Sequence, residues 1–376
     1  MIQAFGAQAT GLRLARMQAS PRYADGAFRN THPVAPGLKK GTATPTISEF
    51  LCGGQRRTPP GPLPSVNPLG TWLRPAGSPL RATWLGHSTV LLEMDGVRVL
   101  TDPVWGERAS PVKFAGPKRF QPVPVTLAQL PPLDAVVISH DHYDHLDYPT
   151  IRELAGRSVP FITSLGVGAH LEAWGVAPER ITELDWWESA DLLGGKLRIT
   201  AAPSQHFSGR ALGARNPTLW SSLALRTDHA SVFFSGDTGL TDEYSEIQRR
   251  LGPFDLVMLE VGAFHPAWGD IHLGPENALK ANALLGGARL LPVHWGTFNL
   301  AMHAWDEPAE TLLALAPRYG AALAMPRLGE AVELAHVEAV VPWWRPAAGS
   351  ADAALPENEE PPSLPPHPDA VPWPMD

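Results

Sequence analysis

Short runs of apolar and β-branched residues, separated by polar and glycine-containing turns, recur along the middle of the chain. Runs of this length, bounded by turn residues, are typical of β-strands. The dipeptide Asp95-Gly96 joins two of the runs and favours a tight hairpin turn. The pattern predicts strands over residues 82–85, 88–94, 97–100, 134–139, 196–202, 231–235, 254–259 and 289–293.

Helical patterns lie between several of these strands. One covers residues 148–156, a second begins near Gly274-Pro275-Glu276, and a third covers residues 309–319. Pro275 suits an early helical position because its missing N–H would have no partner there. Strands and helices interleave without a strict β–α repeat. This order indicates an α/β fold in which two sheets lie between layers of helices.

The two ends of the chain differ from this middle part, which we assign to one domain over residues 76–341. Residues 1–75 are rich in glycine, proline and arginine and show little periodicity. We expect them to form an irregular N-terminal extension that wraps the domain, with a frayed first stretch rather than a helix. Residues 342–376 contain ten prolines and several acidic residues, a composition that predicts a disordered tail.

Composition and charge narrow the class of protein. The formal net charge of the 376 residues is −8, which argues against a nucleic-acid partner. Cys52 is the single cysteine, so no internal disulfide can form. No apolar run approaches the roughly 20 residues that span a bilayer. We therefore expect a cytoplasmic protein without a transmembrane segment, and we leave peripheral membrane contact and a homodimer open.

Candidate metal ligands cluster directly after one predicted strand. The motif HDHYDH, at residues 140–145, follows the apolar run DAVVIS and supplies His140, His142, Asp144 and His145. A loop at a strand end can fold several such side chains around one point. Imidazole and carboxylate groups suit Zn²⁺ and related divalent ions, and the lack of cysteine ligands disfavours a purely structural zinc site.

Three further candidates occupy the same position relative to a strand. His206, Asp237 and His294 each come shortly after a predicted strand. If these strands run in the same direction, their carboxyl ends meet at one rim. A single histidine at a strand end is more often a satisfied polar residue than a ligand, but an ordered set of seven is hard to obtain by chance. The set therefore predicts a metal site.

Seven ligands are too many for one tetrahedral ion and suit two ions. The first set is His140, His142 and His206, and the second set is Asp144, His145 and His294. Asp237 would bridge the two. We expect two divalent metal ions, zinc first with manganese or iron as alternatives, that hold a hydroxide between them as the nucleophile.

Two more polar residues are expected to support these ligands. Asp102 precedes Pro103 and would accept the second N–H of a metal-bound imidazole, with a simple turn residue as the alternative. His87 lies between two predicted strands, where it either lines the pocket or serves a turn.

The pattern H-x-H-x-D-H after an apolar strand resembles the signature of the metallo-β-lactamase superfamily. The similarity extends over residues 82–334 and includes Trp84-Leu85-Gly86-His87, Thr101-Asp102-Pro103 and the glycine-flanked Asp237. This resemblance implies an αββα sandwich of two mixed β-sheets flanked by helices, with the metals at one edge.

Within that superfamily, the chain is most similar to the branch that contains N-acylphosphatidylethanolamine-hydrolysing phospholipase D and its bacterial relatives. The similar stretches are RASP at residues 108–111, GPKRF at 116–120, ELDWWE at 183–188 and HWGTF at 294–298. The resemblance implies a phosphodiesterase that uses a metal-bridging hydroxide on a small-molecule or lipid substrate, with Asp144 and His272 as catalytic residues. The residues expected in the substrate pocket are Tyr143, Phe264, His265 and Trp268.

The chain departs from the phospholipase pattern near this expected pocket. Glu260 has no carboxylate counterpart in that pattern, and the stretch over residues 268–272 is shorter and lacks a basic residue. Lipid specificity therefore does not follow from the resemblance. The alternatives to a phosphodiesterase are a lactonase acting on a sugar-phosphate-like lactone and a metal-binding scaffold without catalytic activity.

Overall fold

The computed structural model describes residues 3–34, 56–210, 215–265, 268, 270–334 and 339–348. Fifteen strands occur within these residues and form three sheets. The strands are β1 (Tyr23–Ala24), β2 (Ala27–Phe28), β3 (Leu80–Gly86), β4 (Thr89–Met94), β5 (Val97–Thr101), β6 (Ala135–Ile138), β7 (Phe161–Ser164), β8 (Ile181–Leu184), β9 (Ser189–Leu192), β10 (Leu197–Ala202), β11 (Ser222–Arg226), β12 (Ser231–Phe234), β13 (Leu256–Glu260), β14 (Arg289–Val293) and β15 (Ala331–Glu333).

Seven α-helices occur in the same part of the chain. They are α1 (Gly11–Ala19), α2 (Leu69–Trp72), α3 (Tyr148–Leu154), α4 (Gly168–Ala173), α5 (Glu243–Leu251), α6 (Gly274–Leu284) and α7 (Glu307–Tyr319). Pro275 stands in the first turn of α6, as the sequence predicts. Among the described helices, none is both long enough and apolar enough to cross a bilayer.

The two large sheets are both mixed. The seven-stranded sheet has the order β15-β3-β4-β5-β6-β7-β8, and the six-stranded sheet has the order β14-β13-β12-β11-β10-β9. Pairs from β5 to β8 are parallel, and so are the two pairs that join β12, β13 and β14. The prediction of two mixed sheets is therefore confirmed.

Side chains of these sheets alternate between two apolar layers, because successive residues of a strand point to opposite faces. Val90 and Val99 of the seven-stranded sheet share one buried cluster with Val257 of the six-stranded sheet. Leu91 and Leu100, one position further along, pack instead in a second cluster with residues of α3 and α4. Helices α5, α6 and α7 supply buried residues to the first cluster. The layers are thus helix, sheet, sheet and helix, which is the predicted sandwich.

The functional candidates lie at one end of this sandwich because several strands end there. Strands β5 and β6 are parallel neighbours, and β12, β13 and β14 run in parallel in the other sheet. Strand β10 has the same direction as β12, since each is antiparallel to β11. Residues that follow β6 in one sheet lie close to Asp237, which follows β12 in the other, so the carboxyl ends of these six strands supply the loops of a single rim.

Both chain ends are more ordered than the sequence indicated, where the structure describes them. The first stretch forms helix α1, and Met17 of this helix packs in a buried cluster with Trp186 and Trp220. Trp343 and Trp344, assigned to the disordered tail, are buried in the main core. The proline-rich composition predicts a disordered tail, but it takes no account of these two large apolar side chains, which can pack in the core. Residues 35–55, which include Cys52, and residues 349–376 lie outside the described part of the chain.

Replacing Trp344 with alanine is expected to lower the free energy of unfolding by about 3–5 kcal/mol, the usual cost of removing a buried tryptophan. The Trp344 side chain is 0% exposed, and its indole N–H donates to Glu310 Oε1 at 2.7 Å. Urea unfolding followed by circular dichroism measures the change. Leu12→Ala, at a residue that is 92% exposed, is the control and should change the free energy by less than about 0.5 kcal/mol. Equal small effects would show that Trp344 does not belong to the domain core.

Candidate metal centre

The seven predicted ligands lie together at the rim and, with His87, form two clusters of four residues. His140, His142, His206 and Asp237 form the first cluster, and His87, Asp144, His145 and His294 form the second. Within each cluster, the potential ligand atoms all lie within 4.8 Å of one another. The sequence analysis expects the same two sets of histidines and Asp144. It differs in placing Asp237 between the sets and in leaving His87 out of the second set.

Asp237 stands between the two clusters. Its Oδ1 lies 3.1 Å from His145 Nε2, and its Oδ2 lies 3.2 Å from His294 Nε2. The same Oδ2 is 3.8 Å from His140 Nε2 and 3.7 Å from His206 Nε2. One carboxylate is thus close to histidines of both clusters, which is the position expected of a bridging ligand.

A buried network behind the clusters fixes the proton positions of two imidazoles. The carboxylate of Asp102 accepts from Ser139 N–H at 2.7 Å, from Ser139 Oγ–H at 2.6 Å and from His145 Nδ1–H at 2.7 Å. Because the Ser139 hydroxyl proton goes to Asp102, its oxygen accepts from His140 Nδ1–H at 2.9 Å. Both Nε2 atoms therefore present bare lone pairs to the centre. The sequence analysis expected Asp102 to orient one imidazole, and the geometry links it to two.

A backbone carbonyl fixes the proton position of His206 in the same way. Its Nδ1–H donates to the carbonyl of Ile271 at 2.9 Å, so its Nε2 also faces the first cluster without a proton. A proton on the far nitrogen is the usual arrangement of a metal-binding histidine, because it fixes the tautomer and the ring orientation.

The donor set fits divalent cations better than it fits hydrogen bonds among its own members. His140 Nε2 and His206 Nε2 lie 3.0 Å and 3.2 Å from His142 Nδ1, which has at most one proton to give. His145 Nε2 and Asp237 Oδ1 are both buried and have no hydrogen-bond partner, although they face each other. Buried lone pairs without a partner are costly, and a cation shared among them removes this cost. Imidazole and carboxylate ligands suit zinc, manganese and iron.

In the absence of a cation, burial and neighbouring charges shift the pKa values of the clustered histidines in different directions. Burial lowers the pKa of His140 and of His206 well below the ordinary value, so both imidazoles are neutral. Burial alone would raise the pKa of Asp237, but His145 and His294 outweigh it and hold that pKa well below its usual range. In return, Asp237 and Asp144 outweigh burial and raise the pKa of His145. The clustered carboxylates thus attract positive charge, which metal ions supply.

His87 lies closer to the centre than the sequence analysis expected. Its Nε2 is 3.0 Å from Asp144 Oδ2, and its ring centroid is 4.0 Å from that of His294. It occupies the turn between β3 and β4 with a φ of 53°. Burial is the largest cause that lowers its pKa, to about 3, so the imidazole is neutral. His87 is therefore a member of the second cluster and a further candidate ligand.

Glu260 is a functional candidate that the sequence analysis missed. Its Oε2 accepts from His272 Nδ1–H at 2.7 Å and lies 3.9 Å from His294 Nδ1. Its Oε1 accepts from the backbone N–H of Thr238, at 2.8 Å, and of Leu273, at 3.2 Å. The buried carboxylate thus ties the loop of the bridging aspartate to the loop of His272. The sequence did contain an indication of this role, because Glu260 is the polar last residue of strand β13 and so lies at the same rim as the predicted ligands.

A cavity of about 360 Å³ opens beside His272. Phe264, His265 and Trp268 line it, and these are three of the four residues expected in the substrate pocket. The fourth, Tyr143, is not among the residues that line this cavity. Its hydroxyl donates to the Arg210 carbonyl, and its ring packs 4.1 Å from the Arg210 guanidinium carbon.

Comparisons with known proteins agree with the fold and the site. A family model of the beta-lactamase superfamily domain matches residues 97–295. An uncharacterized protein of Mycobacterium tuberculosis is 46% identical over 347 residues, which are 91% of this chain and 92% of that protein. The N-acyl-phosphatidylethanolamine-hydrolyzing phospholipase D 1 of Caenorhabditis elegans is 39% identical over 249 residues, 63% of this chain and 70% of that protein. A solved metallo hydrolase from Ignicoccus hospitalis has a TM-score of 0.52 at 23% identity and covers 67% of this chain and 97% of its own.

The sandwich fold and the two buried clusters of histidine and aspartate define a metal-dependent hydrolase. The family model and the relatives identify the superfamily: the chain belongs to the metallo-β-lactamase superfamily. The resemblance inferred from the sequence motifs is thereby confirmed.

Replacing Asp237 with alanine is expected to lower the metal content from about two ions per chain to fewer, because the variant lacks the carboxylate between the clusters. Mass spectrometry of the purified, dialysed protein measures the content. Asp228→Ala, which removes an exposed carboxylate, is the matched control and should keep the parent's content. Two tightly held ions in the Asp237 variant would contradict the bridging position.

Glu260→Gln is expected to weaken metal binding by about 10–100-fold, the usual effect of losing a partner behind the ligands. Glutamine offers one acceptor oxygen where three N–H groups meet, and it turns an NH₂ group toward one of them. Competition with a chromogenic chelator measures the affinity. Glu179→Gln, at an exposed position, should bind metal like the parent. An unchanged affinity in the Glu260 variant would remove this residue from the centre.

Proposed function

We propose that the protein hydrolyses a phosphodiester, of the kind cleaved by N-acylphosphatidylethanolamine-hydrolysing phospholipase D, at a two-metal centre with zinc as the first candidate ion. The observation that carries the proposal is the place of Asp237, between two clusters that each offer further ligand atoms. The relative from Caenorhabditis elegans, which is named for this reaction, supports the choice of substrate class.

A pair of cations suits a phosphodiester for electrostatic reasons. Each phosphodiester carries a negative charge that has to be neutralised while more charge develops on its oxygens. When bound, two divalent ions would supply a nucleophile from water near neutral pH and polarise a substrate oxygen. The carboxylates and neutral imidazoles of the centre are the groups that would hold such ions.

Asp144 and His272 are the side chains through which a substrate meets this centre. The Asp144 side chain is 14% exposed and that of His272 is 12% exposed, while His145 and His294 of the second cluster are at most 2% exposed. The Glu260 carboxylate accepts a hydrogen bond from His272 Nδ1–H. The other ring nitrogen of His272, Nε2, takes no part in this hydrogen bond. Burial alone would lower the pKa of His272, but the Glu260 carboxylate outweighs it and raises that pKa. His272 is thus suited to give a proton to a leaving-group oxygen.

The cavity beside His272 is the proposed binding place for the organic part of the substrate. Phe264 and Trp268 give it aromatic walls, which bind apolar groups without a fixed hydrogen-bond pattern. Glu276 and Glu307 also line it, so part of its wall is acidic rather than basic. This lining does not repeat the basic stretch of the phospholipase pattern.

A substrate panel tests the proposal on the zinc-loaded and manganese-loaded protein. We expect hydrolysis of bis-p-nitrophenyl phosphate and of N-acylphosphatidylethanolamine in mixed micelles, and the loss of both activities in Asp237→Ala. The panel includes simple and sugar-derived lactones. Lactone turnover without phosphodiester cleavage would overturn the proposal in favour of a lactonase. No turnover of any substrate by protein that holds two ions would favour the metal-binding scaffold.

A further inference from the structure

The described N-terminal segment, residues 3–34, lies outside the range that matches the superfamily model, which begins at residue 97. It nevertheless contacts the loop that carries His206 and, through Arg210 and His170, it is linked to the loop that carries His140 and His142. Helix α1 fastens the segment to the domain, because Met17 is buried and Arg13 Nη2 lies 3.2 Å from Glu172 Oε2. The segment is therefore held in place independently of its contacts with the centre.

Asn30, near one end of the segment, pairs with the backbone of a candidate ligand. Its Nδ2–H donates to the His206 carbonyl at 2.9 Å, and its Oδ1 accepts from His206 N–H at 3.1 Å. The same Oδ1 accepts from Trp220 Nε1–H at 3.0 Å, which fixes the orientation of the amide. Both backbone hydrogen-bonding groups of His206 are thus held by one side chain, while Ile271 holds its ring.

Ala4, at the other end of the segment, acts on the motif loop at residues 140–145 through a buried arginine. The Ala4 carbonyl accepts from Arg210 Nε at 3.0 Å and from Arg210 Nη2 at 2.8 Å. The remaining nitrogen, Nη1, donates to the carbonyls of Asp141 and Leu146, which flank His142, Asp144 and His145 in that loop. Arg210 is 5% exposed, and its guanidinium presents a rigid set of donors to the carbonyls of the loop.

A second contact links the segment to the same loop. Ala7 N–H donates to His170 Nδ1 at 3.1 Å, and His170 Nε2 lies 3.5 Å from Asp141 Oδ2. Gly6 has a φ of 75°, and any Cβ there would overlap the His170 ring. The close approach of the chain at this glycine is what places Ala7 against the histidine.

From these contacts we infer that the N-terminal segment is part of the metal centre, and that Asn30 is the positioning residue for His206. The inference rests on the proposed function only in requiring that the first cluster binds a metal ion. The segment supplies no ligand of its own. It sets the backbone position of His206 and, through Arg210, that of the motif loop.

The test compares single variants of the full chain. Asn30→Ala should weaken Zn²⁺ binding at one of two sites by about 10–100-fold in chelator competition, and should shift the visible absorption bands of the Co²⁺-loaded protein. Thr31→Ala is the matched control, because the Thr31 hydroxyl donates to Glu243 at 2.6 Å and does not touch a ligand residue. It should leave both the affinity and the Co²⁺ bands unchanged. The unfolding temperature of the metal-free proteins is measured in parallel.

A second variant keeps the test decisive if the alanine variant does not fold. Asn30→Asp retains the acceptor for His206 N–H but sets a second acceptor oxygen against the His206 carbonyl, so a loss of affinity or a shift of the Co²⁺ bands supports the inference. Parental affinity and parental Co²⁺ bands in both Asn30 variants would overturn it. Equal weakening by Thr31→Ala would also overturn it, because the segment would then act through general stability alone. Weaker metal binding in a protein that cleaves no phosphodiester would refute the proposed function and leave this inference standing.

Discussion

The buried carboxylate of Asp102 carries the constraint on which the rest of the centre depends. An imidazole binds a metal ion only through a nitrogen without a proton, so the proton has to be placed on the other nitrogen. Asp102 does this for His145 directly and for His140 through the Ser139 hydroxyl, one histidine in each cluster. Asp102 follows β5 and Ser139 follows the adjacent strand β6, which is paired in parallel with Thr101 opposite Val137. The register of one strand pair therefore fixes the tautomers of two candidate ligands, and a slip of one residue would turn these side chains to the wrong face.

Much of the fold and of the ligand set could be predicted because both follow from strand ends. Apolar runs mark the strands, and polar residues just beyond them mark the rim, which is how His206, Asp237 and His294 were found. The same rule applies to Glu260, yet it was noted only as a departure from the phospholipase pattern. The residue is the last of its strand rather than a member of a spaced motif, and two of its partners are backbone N–H groups. Almost every residue has a backbone N–H group, whatever its type, so a sequence pattern does not reveal which of these groups will bind the carboxylate.

Contacts over long separations in sequence account for most of what the sequence did not show. Asn30 and His206 are 176 residues apart, and Ala4 and Arg210 are 206 residues apart. Their meeting depends on how the segment crosses the finished domain, which local periodicity does not encode. Tyr143 was expected in the substrate pocket along with the residues named from the family resemblance, but its hydroxyl donates to the Arg210 carbonyl and its ring packs against the Arg210 guanidinium. In the tail, the high proline content led to a prediction of disorder, although Trp343 and Trp344 pack in the main core.

The loop that carries His272 links the wall of the cavity to the candidate metal ligands. The Ile271 carbonyl takes the Nδ1 proton of His206, and the Asp270 carbonyl accepts from Gln205 Nε2–H at 2.7 Å. The next residue, His272, is held by Glu260 and lines the cavity together with Trp268. This is the stretch in which the chain differs from the phospholipase pattern. A change of its length or sequence alters the wall of the cavity and, at the same time, the support of a candidate ligand. Under the proposed function, substrate specificity and metal binding would therefore not vary independently, because both depend in part on this loop.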